Sequence, residues 1–277
     1  MVIGKHFLEN IEKILTKDIV LNYTMIEPPI FAGHHKPGKI IMDFGTDFEN
    51  FKEADFYNFE EMNLDNTRIE LGSSFFIAGY KSMFEDVGYF DGFSFYPAFC
   101  EDDDFIIRAK IKGYNLIAIY NAMVYHFVSK TSRYSSDYKE KSKEYEINSI
   151  FNFIRKWGIS PYTFSLLRFW EDNTFEYKIF NMGLTTENSK IANELEPFFD
   201  KIKISNMPED ILERKQQTTN YNIKSKFTFV DEVDVMVTLN SELTSDILET
   251  INKLRLSIPH YACARRHPGG PRGVRSR

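Results

Sequence analysis

Four acidic residues in succession, Glu101-Asp102-Asp103-Asp104, stand between Phe99-Cys100 and Phe105-Ile106-Ile107, with Arg108 four positions after the last of them. An acidic run bounded by apolar residues on both sides must hold its charge at the margin of a core. A helix opening here meets that demand, because carboxylates cap free N–H groups and favour the positive end of the helix dipole. Asp104 and Arg108 then fall at i, i+4 and pair along one face, a structural role. Glu101 and Asp102 are left at the mouth of the helix, where a carboxylate acts as a base or binds a cation. The plainer alternative is an acidic cap on a surface helix.

The run has ordered neighbours. Upstream lie Gly72-Ser73-Ser74-Phe75-Phe76-Ile77-Ala78-Gly79-Tyr80 and then Met83-Phe84-Glu85-Asp86-Val87-Gly88-Tyr89-Phe90-Asp91. Downstream lie Lys112-Gly113-Tyr114-Asn115-Leu116-Ile117-Ala118-Ile119-Tyr120 and Val124-Tyr125-His126-Phe127. The order is a small-residue strand, a short helix, a G-x-F-D loop, an E-D-x-D helix, a G-Y turn, a strand and a histidine. This order resembles inverting glycosyltransferases of the GT-A fold. It is close to the second half of glycosyltransferase family 2 and similar to the C-terminal part of the galactosyltransferases.

The resemblance implies an α/β chain, a partial GT-A fold with a small C-terminal α/β appendage. It implies transfer of a hexose from a nucleotide-diphosphate sugar to a glycan or other hydroxyl acceptor, with Mn²⁺ or Mg²⁺ assisting. Asp102, the second residue of E-D-x-D, becomes the base, and Glu101 orients the acceptor sugar or supports the loop. His126 is expected at the metal or the diphosphate, where neutral imidazole suits Mn²⁺ better than Mg²⁺; the alternative is a packed histidine. Lys130, with Ser129 and Thr131, is placed to meet phosphate oxygens. Gly72, Ser73 and Ser74 are small enough to let a ligand approach the backbone. Asp91 and Phe93 read as lining an acceptor cleft, where an aromatic ring stacks on a sugar. The family's nucleotide-binding half, with its D-x-D motif, is not seen before residue 70, so the expectation is an N-terminally truncated form, with a partner chain as one source of the missing half. A carbohydrate-binding or scaffold protein derived from a degenerate transferase is the alternative.

Composition narrows the class. The chain has 277 residues, 26 Phe and 15 Tyr, enough apolar material for a well-packed core. A net charge of −6 argues against a nucleic-acid surface. Two cysteines, Cys100 and Cys263, make neither a disulfide framework nor a zinc pattern. No transmembrane segment is expected, since no apolar run is long enough, and the reading is a cytoplasmic protein.

Along the chain, residues 7–15 carry a helical stripe and residues 18–23 a short strand. Thr24-Met25-Ile26-Glu27 leads into paired prolines that must be extended or turn-like, and the plainer reading of the 24–37 loop is connection. The pair His34-His35 is not read as a metal site, because adjacent strand residues point to opposite faces. A strand is expected from residue 39, a polar connection or helix over 48–61, and a helix over 138–157 ended by Gly158. The expected domains are residues 1–170, the transferase half; 171–261, the appendage; and 262–277, a basic tail. The appendage should hold strands at 175–181 and 234–239 and helices at 187–199 and 245–256. The tail holds five of the twelve arginines and no lysine. It has the composition of a disordered, foreign or frame-shifted extension, and no function is assigned to it.

Overall fold

The structure is a computed structural model that describes residues 1–31, 36–128, 136–161, 181–227, 233–239, 247–248 and 250–251. Lys130, the pair His34-His35, most of the strand expected from residue 175 and the basic tail lie outside these residues. The chain is α/β and divides into two compact units. The first comprises residues 1–90, 102–143 and 168–173; the second comprises residues 91–101, 144–167 and 174–277.

The first unit is built on a mixed six-stranded sheet. Its strands are β1 (Val2–Ile3), β2 (Ile19–Glu27), β3 (Lys39–Ile41), β4 (Ile69–Leu71), β5 (Ile77–Ala78) and β6 (Asn115–Tyr125). The order β1-β6-β2-β3 forms the main path, with β4 on β6 and β5 on β2. Strands β2, β3 and β6 run parallel, Ile26 pairing with both Ile40 and Tyr125, while β1, β4 and β5 are antiparallel. β2 and β6 are buried along almost their whole length, which is why they read as apolar runs rather than as alternating strands. Helices α1 (Phe7–Glu12) and α2 (Glu53–Met62) pack on this sheet. Ile11 of α1 joins Leu21, Ile119 and Ala122, while Phe56 of α2 joins Ile26, Met123 and Tyr125. Helix α3 (Lys81–Val87) precedes α4 (Glu101–Ile111), whose Phe105 stacks on Phe84.

Two expectations are corrected here. The stretch 24–27 is not connection: Thr24 and Glu27 are buried members of β2, and the polar side chains had masked its continuity. The segment from Gly72 is not one strand either, since β4 ends at Leu71 and β5 holds only Ile77–Ala78.

The second unit has a separate three-stranded parallel sheet, β8 (Lys201–Lys203), β7 (Met182–Thr185) and β9 (Val235–Thr238), in the order β8-β7-β9. Parallel neighbours need helical crossovers. The helices between them are α6 (Ser189–Leu195) and α7 (Glu209–Gln216), and residues 224–226 add a 3₁₀ turn. The long helix α5 (Ser136–Trp157) stops at Gly158, whose φ of 77° is left-handed and whose N–H returns to the Ile154 carbonyl at 2.6 Å. Ile154, Leu184, Leu195, Phe199, Ile202 and Ile251 form this unit's core.

Candidate active site

The strongest cluster of the first unit sits at the carboxyl ends of the parallel strands β2 and β6, where open α/β sheets bind their ligands, and is joined there by the first residue of β3. Glu27 closes β2, His126 follows β6 and Lys39 opens β3. His126 is held in sheet register by its N–H to the Ile26 carbonyl at 2.8 Å. Its Nδ1 lies 2.9 Å from Glu27 Oε1, and Lys39 Nζ lies 2.7 Å from Glu27 Oε2. The Glu27 and Lys39 side chains are only 6% and 5% exposed, so this is a buried ion pair; His126 is 22% exposed. Burial raises the Glu27 carboxyl, but hydrogen bonds and charge from His126 and Lys39 outweigh it and hold the group below its ordinary value.

A second buried residue sets the wall of this cluster. Asn22 of β2 accepts hydrogen bonds from the Ser74 N–H at 2.9 Å and the Ser74 hydroxyl at 2.6 Å, and donates to the Pro37 carbonyl at 2.9 Å. The clamp fixes residues 72–76 and 37–38 against β2. Gly38 fits because its φ is +74° and a side chain there would come within 2.4 Å of Asn22 Nδ2. With Ser74 pinned, the Phe75 and Phe76 rings meet His126 edge-on, at centroid distances of 5.7 and 5.3 Å. Lys36 Nζ stands 5.5 Å over the Phe75 ring. The result is a half-open histidine with an aromatic wall, a buried carboxylate behind it and two lysines nearby.

The acidic run forms the first turn of α4, as its spacing suggests. Asp104 is fully buried, and Arg108 Nε donates to its Oδ2 at 2.8 Å. The same guanidinium donates to the Val87 and Tyr89 carbonyls, both at 2.6 Å, tying α4 to the end of α3. Glu101 and Asp102 are half-buried. No hydrogen bond or ion pair engages the Asp102 carboxylate among the described residues. Strained backbone flanks both chemical groups. Phe99 and Cys100, just ahead of the helix, have φ of 76° and 64°, and Val128, two residues past His126, has φ of 49°. Left-handed conformations in non-glycine residues, above all a β-branched one, are costly and gather at functional sites.

Of the remaining predicted residues, Lys130 lies outside the described ones and the others are placed as follows. Gly72 donates from its N–H to the Leu116 carbonyl at 2.9 Å, and Ser73 and Ser74 are buried. The ring wall is therefore Phe75, not the small residues before it. Asp91 and Phe93 belong to the second unit. Asp91 Oδ1 accepts the N–H groups of Phe93 and Ser94, and Oδ2 accepts the Ser94 hydroxyl and Lys156 Nζ, each at 2.7 Å. Burial raises this carboxyl, but Lys156 prevails and holds it below its ordinary value. Asp91's carboxylate is thus spent on its own turn and on Lys156 of α5. Phe93 is 49% exposed and meets Tyr221 edge-on at 5.8 Å.

Sequence reading missed Glu27, Lys39 and Asn22. One signal existed: a carboxylate and an amide inside an otherwise apolar strand. For a divalent ion, His126 is the fitting donor, since a carboxylate on Nδ1 is the usual support of a histidine that ligates through Nε2. No group of three or more His, Cys, Asp or Glu suited to a metal gathers among the described residues. No described helix is long and apolar enough to cross a membrane. Compared with known proteins, the chain matches no family model, no curated protein and no solved structure.

Proposed function

We propose that the chain is a GT-A-type glycosyltransferase that moves a sugar from a nucleotide-diphosphate donor to a hydroxyl acceptor with inversion at the anomeric carbon. The observation that carries this reading is the His126–Glu27–Lys39 cluster, in which a histidine and a carboxylate at the carboxyl ends of the parallel strands β6 and β2 meet the first residue of β3. The E-D-x-D order around the unengaged Asp102 adds to it. In the reaction the acceptor oxygen bonds to the anomeric carbon, and the bond from that carbon to the diphosphate oxygen breaks. Asp102 takes the acceptor proton, and Glu101 steadies the acceptor. Glu27 fixes the ring of His126, which meets the diphosphate side, and Phe75 offers a flat face to a sugar or base. A bound Mn²⁺ or Mg²⁺ supplies positive charge to the leaving diphosphate, and His126 Nε2 would be its ligand on this chain.

Calorimetric titration with UDP-sugars in the presence of Mn²⁺ tests the proposal. Saturable donor binding, weakened by His126→Ala and unaffected by Asp102→Asn, is expected. A second reading, a carbohydrate-binding protein, is favoured by the exposed rings of Tyr96 and Phe93, 83% and 49% accessible. Sugar binding with no response to nucleotide would establish that reading and remove the first.

A further inference from the structure

The second unit contains a cationic cavity that the proposed transfer does not use. Glu196 is fully buried and faces three cations. Arg155 Nε lies 3.0 Å from its Oε1 and Nη2 lies 2.7 Å from its Oε2; Lys226 is 2.8 Å from Oε1 and Lys215 is 3.2 Å from Oε2. The carboxyl is held far below its ordinary value: burial raises it, but Lys226, Arg155 and Lys215 together prevail. Each lysine sees one such carboxylate and two other cations, so at Lys215 and Lys226 burial wins and lowers the ammonium values. Asp200 also acts on Lys226. Glu196 offsets one of its three cations, and two of them, Arg155 and Lys215, also line a cavity of about 400 Å³.

Helix periodicity builds the cavity wall. Asn148, Phe151 and Arg155 lie three and four residues apart on one face of α5, Arg214 and Lys215 belong to α7, and Asn193 belongs to α6. Among the described residues, no carboxylate lines the cavity. Lys215 spends one of its three donors on Glu196, and Arg155 spends three of five, the third on Asn152 at 2.6 Å. Arg214 is held only by an exposed pair with Asp210, a weak tie. Lys215 Nζ stands 5.8 Å over the Phe151 ring, so donors and an aromatic face converge.

We infer that this cavity binds the phosphate of a small ring-bearing phosphomonoester, with Arg214 and Lys215 on the phosphate, the buried Arg155 behind them adding charge, the two asparagines on the phosphate oxygens and Phe151 against the ring. Its volume suits such a ligand. The site is metal-free and independent of His126 and Asp102, so its failure and that of the transferase reading are separable.

Inorganic phosphate and phenyl phosphate serve as probes, titrated into the full chain without divalent metal. Both should bind saturably and raise the thermal midpoint, phenyl phosphate more tightly. Lys215→Gln should weaken both by about tenfold or more, the loss of one charge-assisted hydrogen bond. Arg214→Gln, at an exposed position that does not threaten folding, should weaken both severalfold. Phe151→Leu should remove the advantage of phenyl phosphate and leave inorganic phosphate unchanged. His126→Ala should alter none of these. No saturable binding, or binding indifferent to Arg214→Gln and Lys215→Gln in folded variants, would overturn the site. Equal affinity for the two probes would overturn the ring-bearing ligand.

Discussion

Glu27 joins three strands at one point, and its charge state decides whether the join holds. Replacing it with glutamine keeps the shape but leaves Lys39 buried with no counter-charge. Removal of one partner of a buried pair typically costs about 3–5 kcal/mol, and the urea midpoint should fall accordingly. The folded carboxyl titrates below its ordinary value of 4.5. Its stabilising contribution is therefore complete above that pH and fades as pH falls through the lower folded value. Urea midpoints measured from pH 7 to pH 3 should drop less steeply at the acid end in Glu27→Gln than in the parent. Equal slopes would remove Glu27 from the acid response. Asp102 carries the complementary chemical prediction. In an assay that shows transfer, Asp102→Asn should lower kcat by roughly 10²-fold or more while donor affinity stays put, as expected for loss of a general base. Near-normal turnover would exclude Asp102 as the base.

At the scale of elements, the amides that hold loops to strands give direct tests. Asn188 caps α6 through its side-chain oxygen, accepting from the N–H groups of Lys190 at 2.9 Å and Ile191 at 3.3 Å. Asn188→Ala should cost about 1 kcal/mol of stability, read from chemical denaturation. Gly38→Ala should cost more, because it combines a left-handed backbone with a clash against Asn22. If Gly38→Ala is neutral, the clamp that positions Phe75 does not exist in solution. The elements also explain what was legible beforehand. α4 and α5 announced themselves because an acidic first turn or a long amphipathic stripe is local in sequence. β8 and α7 did not, since each carries a single buried apolar residue, Ile202 and Leu212. The site was half legible for a similar reason. Asp102 and His126 lie in local motifs, whereas Glu27 meets Lys39 only through parallel pairing of β2 with β3. No local pattern encodes that register.

At the scale of the whole molecule, the edge of the first sheet invites association. β4 has one sheet neighbour among the described residues, β6, and it leaves Ile69 and Leu71 55% and 52% exposed. An uncovered edge with apolar side chains pairs readily with other chains. Leu71→Lys should raise the concentration at which light scattering detects assembly, with the circular dichroism spectrum unchanged. If scattering is unaltered, β4 is not the sticky edge. The same sheet has a consequence for how the protein is made. β1, β2 and β4 all pair with β6, which is the last of the six strands in the chain, and Thr24 bonds to Ile119 across a gap of 95 residues. Closing so long a loop comes before any reward from the pairing, so this sheet should form slowly. On a ribosome adding about 5–20 residues per second, the apolar β2 would wait several seconds for its partner strand to emerge. The nascent chain thus spends that interval exposed, and its first hundred or so residues should be the segment that a chaperone grips.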